Sequence, residues 1–446
     1  MSGILKKITA SVVTMCMLFS IMTYTFATPS DAEGHWAVSE IDKWIALQLI
    51  QGNEDGKFKP DDSITRAEFI TFVNRVFNFV EKAETPFPDV IKDAWYSDDM
   101  SKAFSAGIAK GDDQGDLRPD ALLTREEAAV ILSRVFSLSV KDTNAVNKFS
   151  DTDKISAWSK DALNAMAGMN YISGREGNKL APLDNITRAE TVKMIDNVMG
   201  QLFNKAGTYS NNAKGNLVVN TRDVILKDTV IEGDLYLTQG IGDGNVVLDN
   251  VKVKGKTFVQ GGGENSILVI NSTLSGNMVV AKKDGKIRIV ARGNTEIAAV
   301  QLNSGAKLEE DNITGKGFTN VEILHRYIIG HEIMLKGDFL NVLLNSTNAK
   351  VQIIDGKVDK LEVAKGADNS EIILSQKAIV NLASINAPVN ITGSSAIQKA
   401  EVGSDNVKMD QKPVNITVMP GISQPMVGGT PLPIPAPTPT PAPAGG

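Results

Sequence analysis

Hydrophobic positions divide the chain into two regimes, a helical period over residues 31 to about 203 and short β-rich runs after Gly207. In the first regime the chain repeats itself three times. Trp36, Trp95 and Trp158 are followed 16 residues later by Gly52, Gly111 and Gly174 (52 − 36 = 111 − 95 = 174 − 158), and 14 residues after those by Arg66, Arg125 and Arg188. Between each Trp and its Gly, apolar residues fall at +5, +8, +9 and +14, as Ile41, Trp44, Ile45 and Ile50 in the first copy and Leu163, Met166, Ala167 and Ile172 in the third. That spacing predicts a helix with one buried face.

A tight loop follows, Gly52-Asn53-Glu54-Asp55-Gly56-Lys57-Phe58-Lys59-Pro60 in the first copy, whose glycines permit positive φ and whose proline stops the helix. A second helix is predicted from Thr65-Arg66-Ala67-Glu68, Thr124-Arg125-Glu126-Glu127 and Thr187-Arg188-Ala189-Glu190. Threonine with glutamate three residues on is a capping box, which explains both residues. The arginine is unexplained by it, because a cation at the first helical position opposes the macrodipole by a few tenths of a kcal/mol. Two readings stand: a helix start with free N–H groups and a guanidinium that takes an anion, or pairing with a nearby carboxylate such as Asp61, Asp62 or Asp120. On the first reading, alanine at these positions leaves folding nearly intact and lowers binding. The tryptophans are core anchors or faces for stacking on a sugar; the glycines admit a ligand to the backbone or cap the first helix. Asp31, Asp89 and Asp151 read as caps or turn residues.

The second regime carries a shorter repeat. Asp228, Asn250, Asn271 and Asn294 are 22, 21 and 23 residues apart, and the first three are followed five residues on by Gly233, Gly255 and Gly276. Apolar or β-branched pairs match in register: Leu235 and Leu237, Thr257 and Val259, Met278 and Val280. A period near 22 predicts a parallel β-solenoid, with a pair of β-sandwiches as the alternative, and the Asp and Asn positions predict a side-chain ladder. Coils are expected to shorten later, with Val342, Leu361, Val380 and Ala400 in one column.

The organisation expected is a multidomain chain, an all-α repeat assembly followed by an all-β parallel β-helix. Its parts are a signal peptide (1–27), repeats at 31–84, 85–145 and 146–203, solenoid regions at 208–330 and 331–420, and a Pro-rich tail (421–446). Residues 1–27 read as a signal because Lys6 and Lys7 precede an uncharged run from Ile8 to Phe26, with Ala27 as the cleavage position. Removing those lysines takes the net charge from −6 to −6 − 2 = −8, which points away from a nucleic-acid partner. Cys16, the single cysteine, leaves with the signal, so no disulfide is expected. His35, His325 and His331 share no ligand spacing, and neither metal nor cofactor is assigned.

The run Gly34-His35-Trp36-Ala37, the glycine loop, the string Ile-Thr-Arg-Ala-Glu at 64–68 and 186–190, and Phe87-Pro88-Asp89-Val90 and Phe149-Ser150-Asp151 resemble S-layer homology (SLH) domains. The resemblance covers residues 31 to about 203, with Glu126 standing where the family usually has Ala. It implies non-covalent anchoring of a secreted protein to the bacterial cell wall or S-layer. The ligand it implies is a pyruvylated secondary cell-wall polysaccharide, associated with peptidoglycan, bound in grooves of a three-part helical assembly. Arg66, Arg125 and Arg188 would take the ketal-pyruvate carboxylate, supported by Gly52, Gly111 and Gly174 and by Trp36, Trp95 and Trp158. Uncapped solenoid ends would allow self-association in a surface layer. Solenoids of this type also resemble polysaccharide lyases and hydrolases, so the alternative is a wall-anchored carbohydrate-active enzyme. Lys282, Lys283, Arg288 and Arg292 make a basic turn, but no matching run of acids is evident in neighbouring coils, and the chain is expected not to be primarily an enzyme.

Overall fold

The computed structural model describes residues 28–51, 56–264, 267–283, 287–324 and 332–433. The signal segment, Gly52, His325, His331 and the end of the Pro-rich tail lie outside the described residues. The chain forms two compact units, Met1–Pro60 and Asp61–Gly446. In the first, helix α1 (Val38–Ala46) buries Ile41, Trp44 and Ile45, the side chains placed inward by the helical period. Asp31 accepts the backbone N–H groups of Phe58 (2.9 Å) and Lys59 (2.7 Å), which seats Phe58 in the core of that unit.

The second unit begins with α2 (Arg66–Phe77), then α3 (Ser97–Ser105), α4 (Arg125–Val135), α5 (Lys160–Gly168) and α6 (Arg188–Met199). Thr65, Thr124 and Thr187 cap α2, α4 and α6, each in a complete capping box with Glu68, Glu127 and Glu190. The three starts converge. Ile64 N–H donates to Ile186 O, Ile186 N–H to Leu123 O, and Leu123 N–H to Ile64 O, at 3.1, 2.9 and 3.0 Å, closing a triangle of backbone bonds. A second ring of side chains runs round it. Arg66 pairs with Glu127, Arg125 with Glu190 (3.0 Å) and Arg188 with Glu68 (2.9 Å), so each arginine holds the capping glutamate of another copy.

This resolves the puzzle of the arginine and corrects one premise. The helix starts are not free, because the N–H groups of Arg66, Arg125 and Arg188 already donate to Ala121, Asp184 and Asp62 carbonyls, at 2.9 to 3.0 Å. Ala67 and Glu126 N–H groups donate likewise to Pro119 and Pro182. The carboxylates that pair with the three arginines in this ring are the capping glutamates. Burial pushes the Arg125 guanidinium below its ordinary value, opposed by Glu190. Against burial, Arg66 and the Thr124 cap hold Glu127 below the usual carboxylate range, and Arg175 and Arg125 do the same for Glu190.

At their other ends the three helices meet the first solenoid coils. Asn220 Nδ2 donates to Val76 O of α2 (2.8 Å), the Tyr236 hydroxyl to Phe136 O at the end of α4 (2.8 Å), and Asn216 Nδ2 to Val198 O of α6 (2.8 Å). Each helix thus has one otherwise open terminal carbonyl satisfied by a solenoid side chain. Phe77, Phe136 and Tyr236 pack edge to face beneath these bonds, with ring centroids 4.9 to 6.0 Å apart.

The solenoid starts at Gln201–Phe203, which pairs with Leu217–Val219, and parallel pairing continues to Lys408–Met409 and Met426–Val427. Pairing crosses residue 331 without a break, since Val321 aligns with Val342. Inward columns of apolar side chains form the core. One runs Leu235, Thr257, Met278, Val300, Val321, Val342, Leu361, Ala383, Ala400. Val380 belongs to another, under Val358 and Phe339. The expected column of Val342, Leu361, Val380 and Ala400 is therefore wrong at its third member, and the steps are 19, 22 and 17 residues (361 − 342, 383 − 361, 400 − 383). Period alone does not separate two inward columns on the same long strand, because both obey the same alternation.

The Asp and Asn repeat is a column of left-handed corners. Asp228, Asn250 and Asn271 have φ of 50°, 55° and 48°, and Asn250 Nδ2 donates to Asp228 Oδ1 (2.7 Å). The fourth place is taken by Gly293 (φ 60°), not Asn294, whose N–H instead donates to Asn271 Oδ1 (3.0 Å). Gly233, Gly255 and Gly276 stack backbone on backbone: a Cβ on Gly276 would lie 2.2 Å from Gly255 O, and one on Gly255 2.4 Å from Gly233 O.

Replacing Gly276 by Ala should destabilise the chain by about 1–3 kcal/mol through that overlap, whereas Gly215→Ala, where nothing lies within 4 Å, should be nearly neutral; urea midpoints of the two variants check this. Arg125→Ala should cost about 3 kcal/mol, at the low end for a broken buried pair because Arg175 still holds Glu190. That reverses the expectation of intact folding, and equal melting of variant and parent would refute it. Glu127 and Glu190 have folded pKa values depressed below 4.5, so their contribution is complete above about pH 4.5 and is lost as pH falls through the folded values. Denaturation midpoints followed downward from neutral pH should begin to fall near there, and less steeply in Glu127→Gln.

Candidate glycan-binding site

Each copy holds its loop with an aspartate. Asp89 accepts Leu117 N–H (3.0 Å) and Arg118 N–H (2.6 Å), and Asp151 accepts Leu180 (2.7 Å) and Ala181 (2.9 Å), matching Asp31 in the first unit. These are turn clamps, as the sequence suggested. They hold Lys59, Arg118 and Ala181 at φ of 57°, 53° and 52° just before a proline, a conformation that such residues rarely adopt unaided. Gly111 and Gly174 do not cap the first helices. The left-handed residues after those helices are Gln48, Gly107 and Asn170. Gly111 is small because Phe87 lies behind it, 2.7 Å from where a Cβ would be, and Gly174 because Phe149 and Asn178 do, at 3.2 Å.

The tryptophans are not core anchors. Trp36, Trp95 and Trp158 are 59%, 63% and 59% exposed, each just ahead of its helix. Each thus presents a large apolar face to solvent.

In the second unit one groove of about 370 Å³ gathers Arg66 of the first copy, Gly111 of the second and Trp158 of the third. Arg66 lies 12% exposed at its wall, one guanidinium nitrogen on Glu127 and its Nε buried without a partner. Burial pushes this guanidinium below its ordinary value, with Glu127 opposing. Lys110, Arg118 and Arg134 add three cations; Asp112, Asp113, Asp116 and Glu127 balance them. With formal charge near zero, the groove suits a largely neutral chain carrying an isolated carboxylate better than a polyanion. Arg118 bonds Glu127 Oε1 at 2.8 Å beside Arg66, and the sequence reading missed it. Its alignment with Lys59 and Ala181, each followed by proline, was the available signal.

The matching place in the third copy is occupied by protein. Arg125 is 4% exposed and gives Nε to Leu180 O (2.9 Å), one terminal nitrogen to Ser173 O (2.8 Å) and the other to Glu190. Arg175, the residue after Gly174, reaches Glu190, Asp184 and Asn185 O. Glu126, the departure from the family pattern, is buried and accepts Ser156 and Ser159, tying the second copy to the third. Arg188 holds Glu68 and lies over the Phe72 ring at 5.6 Å.

On the solenoid the basic turn does meet acids, contrary to the expectation. Lys282 pairs with Asp243 (2.6 Å) two coils back, and Arg288 with Glu309 (2.8 Å) and Arg292 with Asp311 (2.6 Å) in the next coil. Lys283 instead donates to Ser105 Oγ of α3 (2.7 Å). Glu309 also takes Lys307 and Lys336, so its hydrogen bonds from Arg288 and the lysines hold its carboxyl well below the usual range. The sequence spacing hid this because coil partners lie 19 to 39 residues apart.

Residues 30–70, 86–129 and 148–192 match the S-layer homology domain. The chain is 32% identical over 172 residues to an exoglucanase, XynX, of Acetivibrio thermocellus, covering 38% of this chain and 16% of that protein. It is 24% identical over 259 residues to an S-layer protein of Bacillus thuringiensis subsp. finitimus, covering 56% of this chain and 31% of that protein. Among solved structures it is similar to the chitinase ChiW of Paenibacillus sp. str. FPU-7, with a TM-score of 0.32 and 23% identity over 37% of this chain and 15% of that chain. The chain thus spans less than a third of these proteins' lengths. The expectation that it is not an enzyme falls here, because relatives that share its sequence include an exoglucanase as well as S-layer proteins. Three S-layer homology repeats followed by a parallel β-solenoid make this a secreted protein of the bacterial cell wall.

Proposed function

We propose that the repeats attach the chain to the wall by binding a secondary cell-wall polysaccharide, associated with peptidoglycan, in the groove of Arg66, Gly111 and Trp158. The observation that carries this reading is the convergence of one candidate residue of each type, one from each copy, on a single groove. A ketal-pyruvate supplies the isolated carboxylate that the groove's charge balance favours; the partly exposed guanidiniums of Arg66 and Arg118 supply donors, and the exposed Trp158 a face for a sugar ring. The Arg125 place offers no such donors, so the copies contribute unequally.

A second reading concerns the solenoid, and the exoglucanase relative favours it: a wall-attached carbohydrate-active enzyme, a hydrolase or lyase, with its site on the β-helix. Reducing-sugar and unsaturated-product assays of the full chain on neutral and acidic polysaccharides decide it. Self-association in a surface layer has support from the S-layer relatives.

For the groove, Trp158→Ala should leave melting unchanged and weaken a pyruvylated glycan fragment about tenfold, or ~1.4 kcal/mol, by calorimetry. Arg66→Ala should lose roughly 1.5–3 kcal/mol of binding and some stability, since Glu127 loses one partner. Arg66→Lys should recover part of each. Unchanged affinity in Trp158→Ala and Arg66→Lys would remove the groove from wall binding.

A further inference from the structure

The outward row between two inward columns changes character along the solenoid. Near the helices it is apolar and covered: Val218, Tyr236 and Phe258 align in register, and all three are buried. Past Val279 the same row becomes Gln301, Glu322, Leu343 and Glu362. A second outward row beside it reads Asn277, Ala299, Asn320, Asn341 and Lys360, one residue per coil. Between them lies a groove of about 380 Å³.

From these rows we infer that the groove is a binding site for a linear, uncharged polysaccharide lying along the stacking axis. This deepens the carbohydrate-active reading of the solenoid and stands or falls separately from catalysis. Coils are spaced ~4.8 Å apart, so four steps from Asn277 to Lys360 span roughly 19 Å of repeated donors and acceptors, which suits a repetitive ligand. The amides are arranged side by side: Asn341 Nδ2 donates to Asn320 Oδ1 (2.8 Å), Asn320 Nδ2 to Ala298 O (2.9 Å) and Asn277 Nδ2 to Gln301 Oε1 (3.3 Å). Such amides offer both donor and acceptor sites, which match sugar hydroxyls. Ala299 and Leu343 leave small apolar places between them for the C–H faces of rings.

Charge selects the class of polymer. Lys360 Nζ is taken by Glu362 Oε2 (2.7 Å), and Glu322 accepts, among the described residues, a long bond from Asn345 (3.3 Å). The three ionisable groups of the groove sum to −1, which opposes a uronate chain and favours a neutral one. It differs in this from the Arg66 groove, so the two sites take different glycans.

The test titrates the intact chain by calorimetry with soluble cello-, xylo- and N-acetylated chito-oligosaccharides, with oligogalacturonate as the acidic comparator. At least one neutral series should bind, and the acidic one should not. The double variant Asn320→Ala, Asn341→Ala should raise its Kd about tenfold or more. Ala299→Trp, which fills the groove from an outward position without touching the core, should abolish it, while affinity for the pyruvylated wall fragment stays unchanged in both. No binding by any neutral series, binding of the acidic one alone, or affinity unmoved by Ala299→Trp overturns the inference. Loss of wall binding without change here, or binding here without product release, would instead count against the two readings of the preceding section.

Discussion

The closed ring at the starts of α2, α4 and α6 is the constraint on which the rest of the second unit depends. Three backbone bonds form a triangle, and around it each arginine holds the capping glutamate of another copy. A cation at the first helical position is unfavourable to its own helix, yet the same cation is well placed for a neighbour's carboxylate. The capping box and the ring thus share three glutamates. Each carboxylate caps its own helix with one oxygen and receives a guanidinium with the other, so helix formation and assembly of the copies become one cooperative event.

That ring fixes where the far ends of the helices lie, and those ends start the solenoid. Asn216, Asn220 and Tyr236 come from the first coils, and each satisfies the terminal carbonyls of a different helix. Tyr236 stands in an outward row that further along the stack is polar, and here the helices bury it among Phe77, Phe136 and Phe258. The helical assembly therefore covers the start of the β-stack, and the Thr430–Pro431 strand folds back antiparallel on Met426–Val427 at the other end. The fold-back gives Met426–Val427 a hydrogen-bonded partner, which limits edge pairing there.

Three copies that look alike have unlike surroundings. The Arg66 and Arg125 places share geometry, but Arg125 is 4% exposed with each guanidinium nitrogen bonded to protein and Arg175 on the same Glu190, whereas Arg66 is 12% exposed at the wall of a groove. The residue after the loop glycine is Arg175 in the third copy, where it reaches Glu190, and Asp112 in the second, where it lines the groove. On the solenoid the same logic holds in reverse: identical inward columns carry outward rows whose chemistry changes from covered aromatic to exposed amide.

The sequence by itself determined the local elements. Trp-to-Gly-to-Arg spacing located three helix–loop–helix copies, Thr and Glu located the caps, and a period near 22 located the coils, because each of these is set by contacts within a few residues or by a regular repeat. The tertiary structure decided everything that depends on which copy or coil faces which. It gave the arginines their glutamate partners and exposed tryptophans that a helical pattern could equally have buried. It also moved Val380 to a different column from Leu361 and brought Glu309 and Asp311 of the next coil to Arg288 and Arg292. The reason is physical: side-chain period fixes inside against outside, whereas partner and register are set by packing between segments 17 to about 120 residues apart, which no local pattern encodes.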